Sequence, residues 1–222
     1  MHLNLFAIAD KLYRRLCENG IQFNQFGYPI IPPEQLVTNI PDEIIPFDRK
    51  NTCRNPERTI LCFYRNDELL YPCLNRLDED NEIFCNFMGV CGFDLSPRRE
   101  HDIKLQNFNL LMNRMVDAYR AVHGVKILPN FRTGNLSTLA SLTSVPPESC
   151  FIAGTLGCSR GYVLENSTLL KAKLLYARPQ HMLIYGTLRS EYAAILDEFG
   201  QSYTIFDSWQ DISRREYRHD ST

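Results

Sequence analysis

The stretch "GVKILPNFRTGN", Gly124 to Asn135, decides the fold. Its apolar start reads as a buried strand, and Pro129 ends it. Asn130, Arg132 and Asn135 follow at once, so an amide and a guanidinium sit just beyond the strand. Pro129 stiffens that exit and Gly134 permits a turn. Working outward, "SPRREHDIKLQNFNLLMNRMVDAYRAVHG" precedes it. There Ile103, Phe108, Leu111, Met112, Met115, Val116, Tyr119 and Val122 form one helical stripe, with Gly124 placed to end it. "LSTLASL" follows as a short helix, then "CFIAGT" (150–155) as the next strand.

The same alternation extends both ways. "TILCFY" (59–64) and the run "IFCNFMGVCGFD" (83–94) each hold a strand, with a Pro72-interrupted helix in "NDELLYPCLNRLDED" between them. Downstream come a helix over 166–177, a strand over 180–186, a helix over 190–200 and a strand over 202–207. Strands alternating with amphipathic helices imply βαβ units. The expected fold is α/β, a largely parallel sheet of about six strands with flanking helices, as an open sheet or a partial barrel.

The N-terminal part differs. Leu5, Ile8, Ala9, Leu12, Tyr13 and Leu16 keep helical spacing and Gly20 suits the C-terminal cap. Pro29, Pro32, Pro33, Pro41, Pro46 and Pro56 then argue against a long helix or a central strand. The expected division is 1–58 as helix and irregular proline-rich arm, 59–209 as the α/β core, and 210–222 as a tail with a fraying helix.

The 222 residues suffice for one sizeable core. With 24 basic and 26 acidic side chains, the formal net charge of −2 gives no bulk electrostatic case for non-specific nucleic-acid binding. No apolar run approaches the ~20 residues of a membrane span. The N-terminus has no signal-peptide pattern, so an intracellular location is expected. The eight cysteines include no C-x2-C pair. Short ligand pairs are what zinc sites rely on, so buried free thiols are expected.

In parallel α/β folds the strand C-termini share one face, where ligands bind. The residues following the strands are Arg65 and Asp67; Asp94 and Ser96; Asn130 and Arg132; Thr155, Gly157, Cys158 and Arg160; Tyr185 and Gly186; Asp207 and Ser208. Turn and capping preferences account for part of this pattern. Ser96 before Pro97, for instance, reads as a helix N-cap.

The span from about 60 to 208 resembles an uncharacterised family, a bacterial and phage-associated domain of unknown function. The resemblance rests on "GFDLSP", "NFNLLMNR", "PNFRTG", "GTLGCSR" and "IYG", in that order. Members typically show a P-D-F-S-like turn, an N-x-R-W strand end, a T-x-G-C loop and a V-Y-G strand end. The matched positions are Asp94, Ser96, Asn107, Arg114, Asn130, Arg132, Thr155, Gly157, Cys158, Tyr185 and Gly186. Thr133 stands where many relatives have tryptophan, and Leu156 where a histidine is common. The resemblance implies a site and the cytoplasm of a bacterial host, but brings no reaction.

Neither phosphate-loop signature is present. Of the five histidines only His101 falls on the candidate face, where it is expected as a solvated helix-start residue. Cys158 is a candidate nucleophile beside Arg160. Asp94, with Asp67 or Asp207, is a candidate Mg²⁺ site. Arg114, Arg132 and Arg160 suit phosphate oxygens. One expectation is therefore a nucleotide- or phosphate-binding protein with metal-assisted hydrolase or transferase activity. The other is a non-enzymatic protein that sequesters a nucleotide signal or docks on a host or viral protein through its arm and basic tail.

Overall fold

The stripe read over 103–122 is helix α4, Ile103–Val122, and the strand after it is β4, Ile127–Leu128. The computed structural model describes residues 4–154 and 163–213. In chain order the other elements are α1 (Leu5–Glu18), β1 (Glu43–Pro46), β2 (Thr59–Cys62), α2 (Asp67–Leu70), α3 (Leu77–Phe84) and β3 (Gly89–Cys91). After β4 come β5 (Cys150–Gly154), α5 (Val163–Ala177), β6 (His181–Tyr185), α6 (Ser190–Glu198) and β7 (Tyr203–Phe206). Leu136–Ser144 is a 3₁₀ segment, and residues 209–213 are helical; the rest of the expected tail lies outside the described residues.

Two expectations are corrected. The described strands form two parallel sheets, ordered β1-β2-β3-β4 and β5-β6-β7, in place of a single sheet of about six. The strand missed was β1, inside the proline-rich arm. It pairs with β2 from Glu43↔Thr59 to Pro46↔Cys62. Prolines are tolerated there because β1 is an edge strand and Pro46 is its last residue. The arm therefore contributes to the sheet instead of only covering it.

The two sheets meet at an isolated parallel bridge between Asn130 and Ile152, where Phe131 N donates to Ile152 O at 2.7 Å. Neighbours in space are thus neighbours in sequence throughout. Right-handed crossovers that all step in one direction place the helices on one face. Accordingly α1 packs on α4, the 3₁₀ segment lies between α4 and α5, and α5 packs on α6.

The opposite face is closed by curvature. Tyr64, just past β2, stacks on Tyr185 of β6 with ring centroids 5.6 Å apart. Four steps of ~4.8 Å along a flat sheet would separate those strands by roughly 19 Å. Beyond β1 and β7, Arg49 lies over the Trp209 ring at 5.4 Å, so the outermost strands also bring their ends together.

Local signals set the helix ends. Asn4 caps α1, accepting from Ala7 N at 3.1 Å, and Gly20 beyond it takes a φ of +76°. For α4 the cap is Asp102, which accepts from Lys104 N at 2.8 Å, and not Ser96. The helix therefore begins at Ile103. Its buried side holds Gln106, Asn113, Arg114, Asp117 and Arg120 as well as Met112, Met115, Val116 and Tyr119 of the expected stripe, while Ile103, Phe108, Leu111 and Val122 are half-buried.

Candidate functional site

Segments beyond the strand C-termini converge into one connected polar and aromatic layer. Asp94, three residues past β3, is 2% exposed. Its Oδ1 accepts from Asn130 Nδ2 at 2.8 Å, and its Oδ2 from Arg132 at 2.6 Å. Asn130 Oδ1 accepts from the Tyr64 hydroxyl at 3.2 Å. Tyr64 stacks on Tyr185, whose hydroxyl accepts from Trp209 N at 2.8 Å, and Trp209 lies under Arg49. Gly154, ending β5, faces Tyr64 so closely that a Cβ would meet the ring at 2.8 Å. Every strand of both sheets has a residue at or beyond its end in this chain of contacts.

At the mouth the side chains are partly open. Ser96 donates through both its backbone N–H and its hydroxyl to Asp67 Oδ1, each at 3.1 Å. Arg132 also approaches the Ser96 hydroxyl at 3.5 Å. Arg65 is held in a bidentate pair with Asp48 at 3.0 and 2.8 Å. Two guanidinium planes are thus oriented by carboxylates at one rim.

Burial pushes the Asp94 carboxyl up to about 6, against the pull of Arg132 and with a further push from Asp67. That places a buried carboxyl in the range useful for proton transfer. Burial likewise drives the Cys62 thiol up to about 12, which keeps it a neutral, packed group. The seven described cysteines are free. No group of three or more His, Cys, Asp or Glu suited to a metal ion occurs among the described residues.

Asp94, Ser96, Asn130 and Arg132, expected together, are brought together. Tyr185 joins them from inside the curl, and Gly186 follows it with a φ of +103°. Arg114 does not reach the rim. It is 2% exposed and donates to Ser141 O at 3.0 Å and Asn130 O at 2.9 Å, beside Asp117 at 3.4 Å. Three acceptors fix this guanidinium as a brace beneath the site, so it is not a phosphate contact. Asn107 accepts from the Tyr28 hydroxyl at 3.2 Å, in contact with the arm.

His101 precedes the α4 cap and is half-buried, so the expectation of a solvated helix-start residue is corrected. Ser96, expected as an N-cap, instead binds Asp67. Gly134 serves through close approach: a Cβ there would overlap Gln106 Oε1. Thr155, Gly157, Cys158 and Arg160 lie outside the described residues.

Sequence reasoning missed Tyr64, Gly154 and Trp209. Their only signal was position at strand ends, since an aromatic there reads equally well as core.

A family model described as a domain of unknown function, DUF4417, matches residues 24–202. The match starts within the arm and so includes β1. No curated protein and no solved structure matches the chain.

Proposed function

We propose, for a chain that belongs to the DUF4417 family of domains of unknown function, that the strand-end rim binds a nucleotide or another phosphate-bearing ligand. The seven strands would act as a partial barrel with this rim as its mouth. The observation that carries the reading is Arg132, held by buried Asp94 at 2.6 Å with its side chain still 23% exposed. A guanidinium already oriented by a buried carboxylate loses little freedom on meeting a phosphate. Asp94 then acts as a positioning residue. Its two oxygens accept from Asn130 and Arg132, and the lone pairs left over are where Mg²⁺ would be held.

Turnover is the second reading, and the Asp94 carboxyl raised to about 6 favours it. Such a group would pass a proton in hydrolase or transferase chemistry. The phage association and the bacterial cytoplasm remain part of the proposal through the family resemblance.

The test is a thermal-shift screen of mono- and dinucleotides, with and without Mg²⁺. A ligand at 100 times its Kd stabilises by about 2.7 kcal/mol. The reading requires a hit that Arg132→Ala abolishes. Turnover of that ligand, lost in Asp94→Asn, would establish the enzyme. No hit, or one indifferent to Arg132→Ala, would overturn the phosphate reading and leave protein docking through the arm.

A further inference from the structure

The mouth of the rim holds a serine whose surroundings suit nucleophilic attack. Ser96 is half-buried, and its backbone is fixed on both sides. Its N–H donates to Asp67 Oδ1 at 3.1 Å, while its carbonyl accepts from Asn109 Nδ2 at 2.9 Å and from Arg98 N at 3.0 Å. The side chain is thereby held between opposite charges. Its hydroxyl donates to Asp67 Oδ1 at 3.1 Å, and Arg132 approaches the same oxygen at 3.5 Å. A serine oxygen carries two lone pairs, so with the guanidinium at one the second is left for a ligand.

Serine is a weak nucleophile until an adjacent base takes its proton. Asp67 is that base within hydrogen-bond reach, and Arg132 favours the negative charge that develops on Ser96 Oγ. Turn geometry accounts for the backbone bond to Asp67, but it does not call for a guanidinium at the hydroxyl. Ser208 makes the contrast. Its hydroxyl also donates to a carboxylate, that of Asp211, yet the residue is 1% exposed and closed to a ligand.

We propose that Ser96 is a nucleophile that takes a phosphoryl group from a phosphoanhydride, such as a nucleoside triphosphate, bound at Arg132. This rests on the phosphate reading of the rim. Ser96 Oγ bonds to the terminal phosphorus as the bridging P–O bond breaks, and the shortened phosphate chain leaves as an anion. The Oγ proton passes to Asp67. Water then bonds to the phosphorus of the phosphoserine, the Oγ–P bond breaks, and Asp67 returns its proton to Oγ. Inorganic phosphate leaves, and one proton of the water passes to solvent.

The test is intact-mass and peptide mass spectrometry of the full chain, quenched in acid after incubation with ATP, GTP or acetyl phosphate and Mg²⁺. One phosphate on the peptide containing Ser96 is expected, stable to hydroxylamine and absent from Ser96→Ala. Asp67→Asn keeps an oxygen that accepts from the Ser96 N–H and hydroxyl but loses the basicity. It should fold as the parent does and label about a hundredfold more slowly, as loss of a general base does. Labelling of Ser96→Ala, or an adduct lost to hydroxylamine as an aspartyl phosphate is, overturns the nucleophile. Full-rate labelling of Asp67→Asn overturns the base. Thermal shifts with the same donors separate the two readings. A donor that binds in an Arg132-dependent way but leaves no label, even in a rapid quench, refutes Ser96 and keeps the rim. If no donor binds, the phosphate reading fails and this inference falls with it.

Discussion

Asp94 and Arg132, 38 residues apart in sequence, meet at 2.6 Å through the most buried carboxylate of the rim. The carboxylate pays its desolvation through Arg132 and Asn130, and burial still outweighs them. The consequence is a pH dependence. The folded carboxyl titrates at about 6, against an ordinary 3.8, so between those values the folded chain holds more protons than the unfolded one. Stability from this group is full below the lower value and is lost as pH rises through the upper one.

Asp94→Asn removes that titration. The variant's stability relative to the parent should shift in its favour by at most about 3 kcal/mol between about pH 4 and about pH 7. Asp117, also raised by burial, contributes a slope of the same sign that remains. Urea unfolding at the two pH values measures the shift, and parallel profiles would show that Asp94 titrates normally.

Arg114→Ala should cost about 3–5 kcal/mol, since it leaves Asp117, which is fully buried, without its ion-pair partner. Arg114→Lys should rescue little, because a single ammonium cannot span Ser141 O, Asn130 O and Asp117. Denaturant midpoints decide this. A loss below about 1 kcal/mol would contradict the brace.

Gly154→Ala should push the Tyr64 ring off Asn130 and cost about 1–3 kcal/mol as overpacking. Tyr64→Phe keeps the ring and removes only the hydroxyl bond, worth about 1 kcal/mol. If calorimetry ranks the two the other way, Gly154 is not holding the ring in place.

Arg120→Met tests a different balance. This guanidinium is fully buried, has no hydrogen-bond partner, and lies 4.2, 5.2 and 5.2 Å from the rings of Phe63, Phe84 and Phe93. Cation–π attraction of up to about 2 kcal/mol per ring opposes a desolvation cost of several kcal/mol. Methionine fills similar space without charge, so stability should stay within about 1 kcal/mol. A loss above about 3 kcal/mol would make the three-ring cage a major source of stability.

The sequence by itself determined the α/β class, because each strand and helix carries its own hydrophobic period. The α4 stripe and the β-branched runs from β2 to β7 are local signals. It also determined that Asp94, Asn130 and Arg132 share a face, since parallel strands all point their C-terminal ends one way. It could not reveal β1, whose prolines are excluded only from a paired interior position, and edge or interior is settled by the neighbours. Arg114 shows the same limit: a guanidinium on a helix reads as a surface cation until three acceptors from other segments surround it. Tertiary structure alone decided the curl that brings Tyr64 to Tyr185 and Arg49 to Trp209. Periodicity fixes which residues face inward along one strand, but the distance between strands far apart in the order depends on how the sheets twist and close.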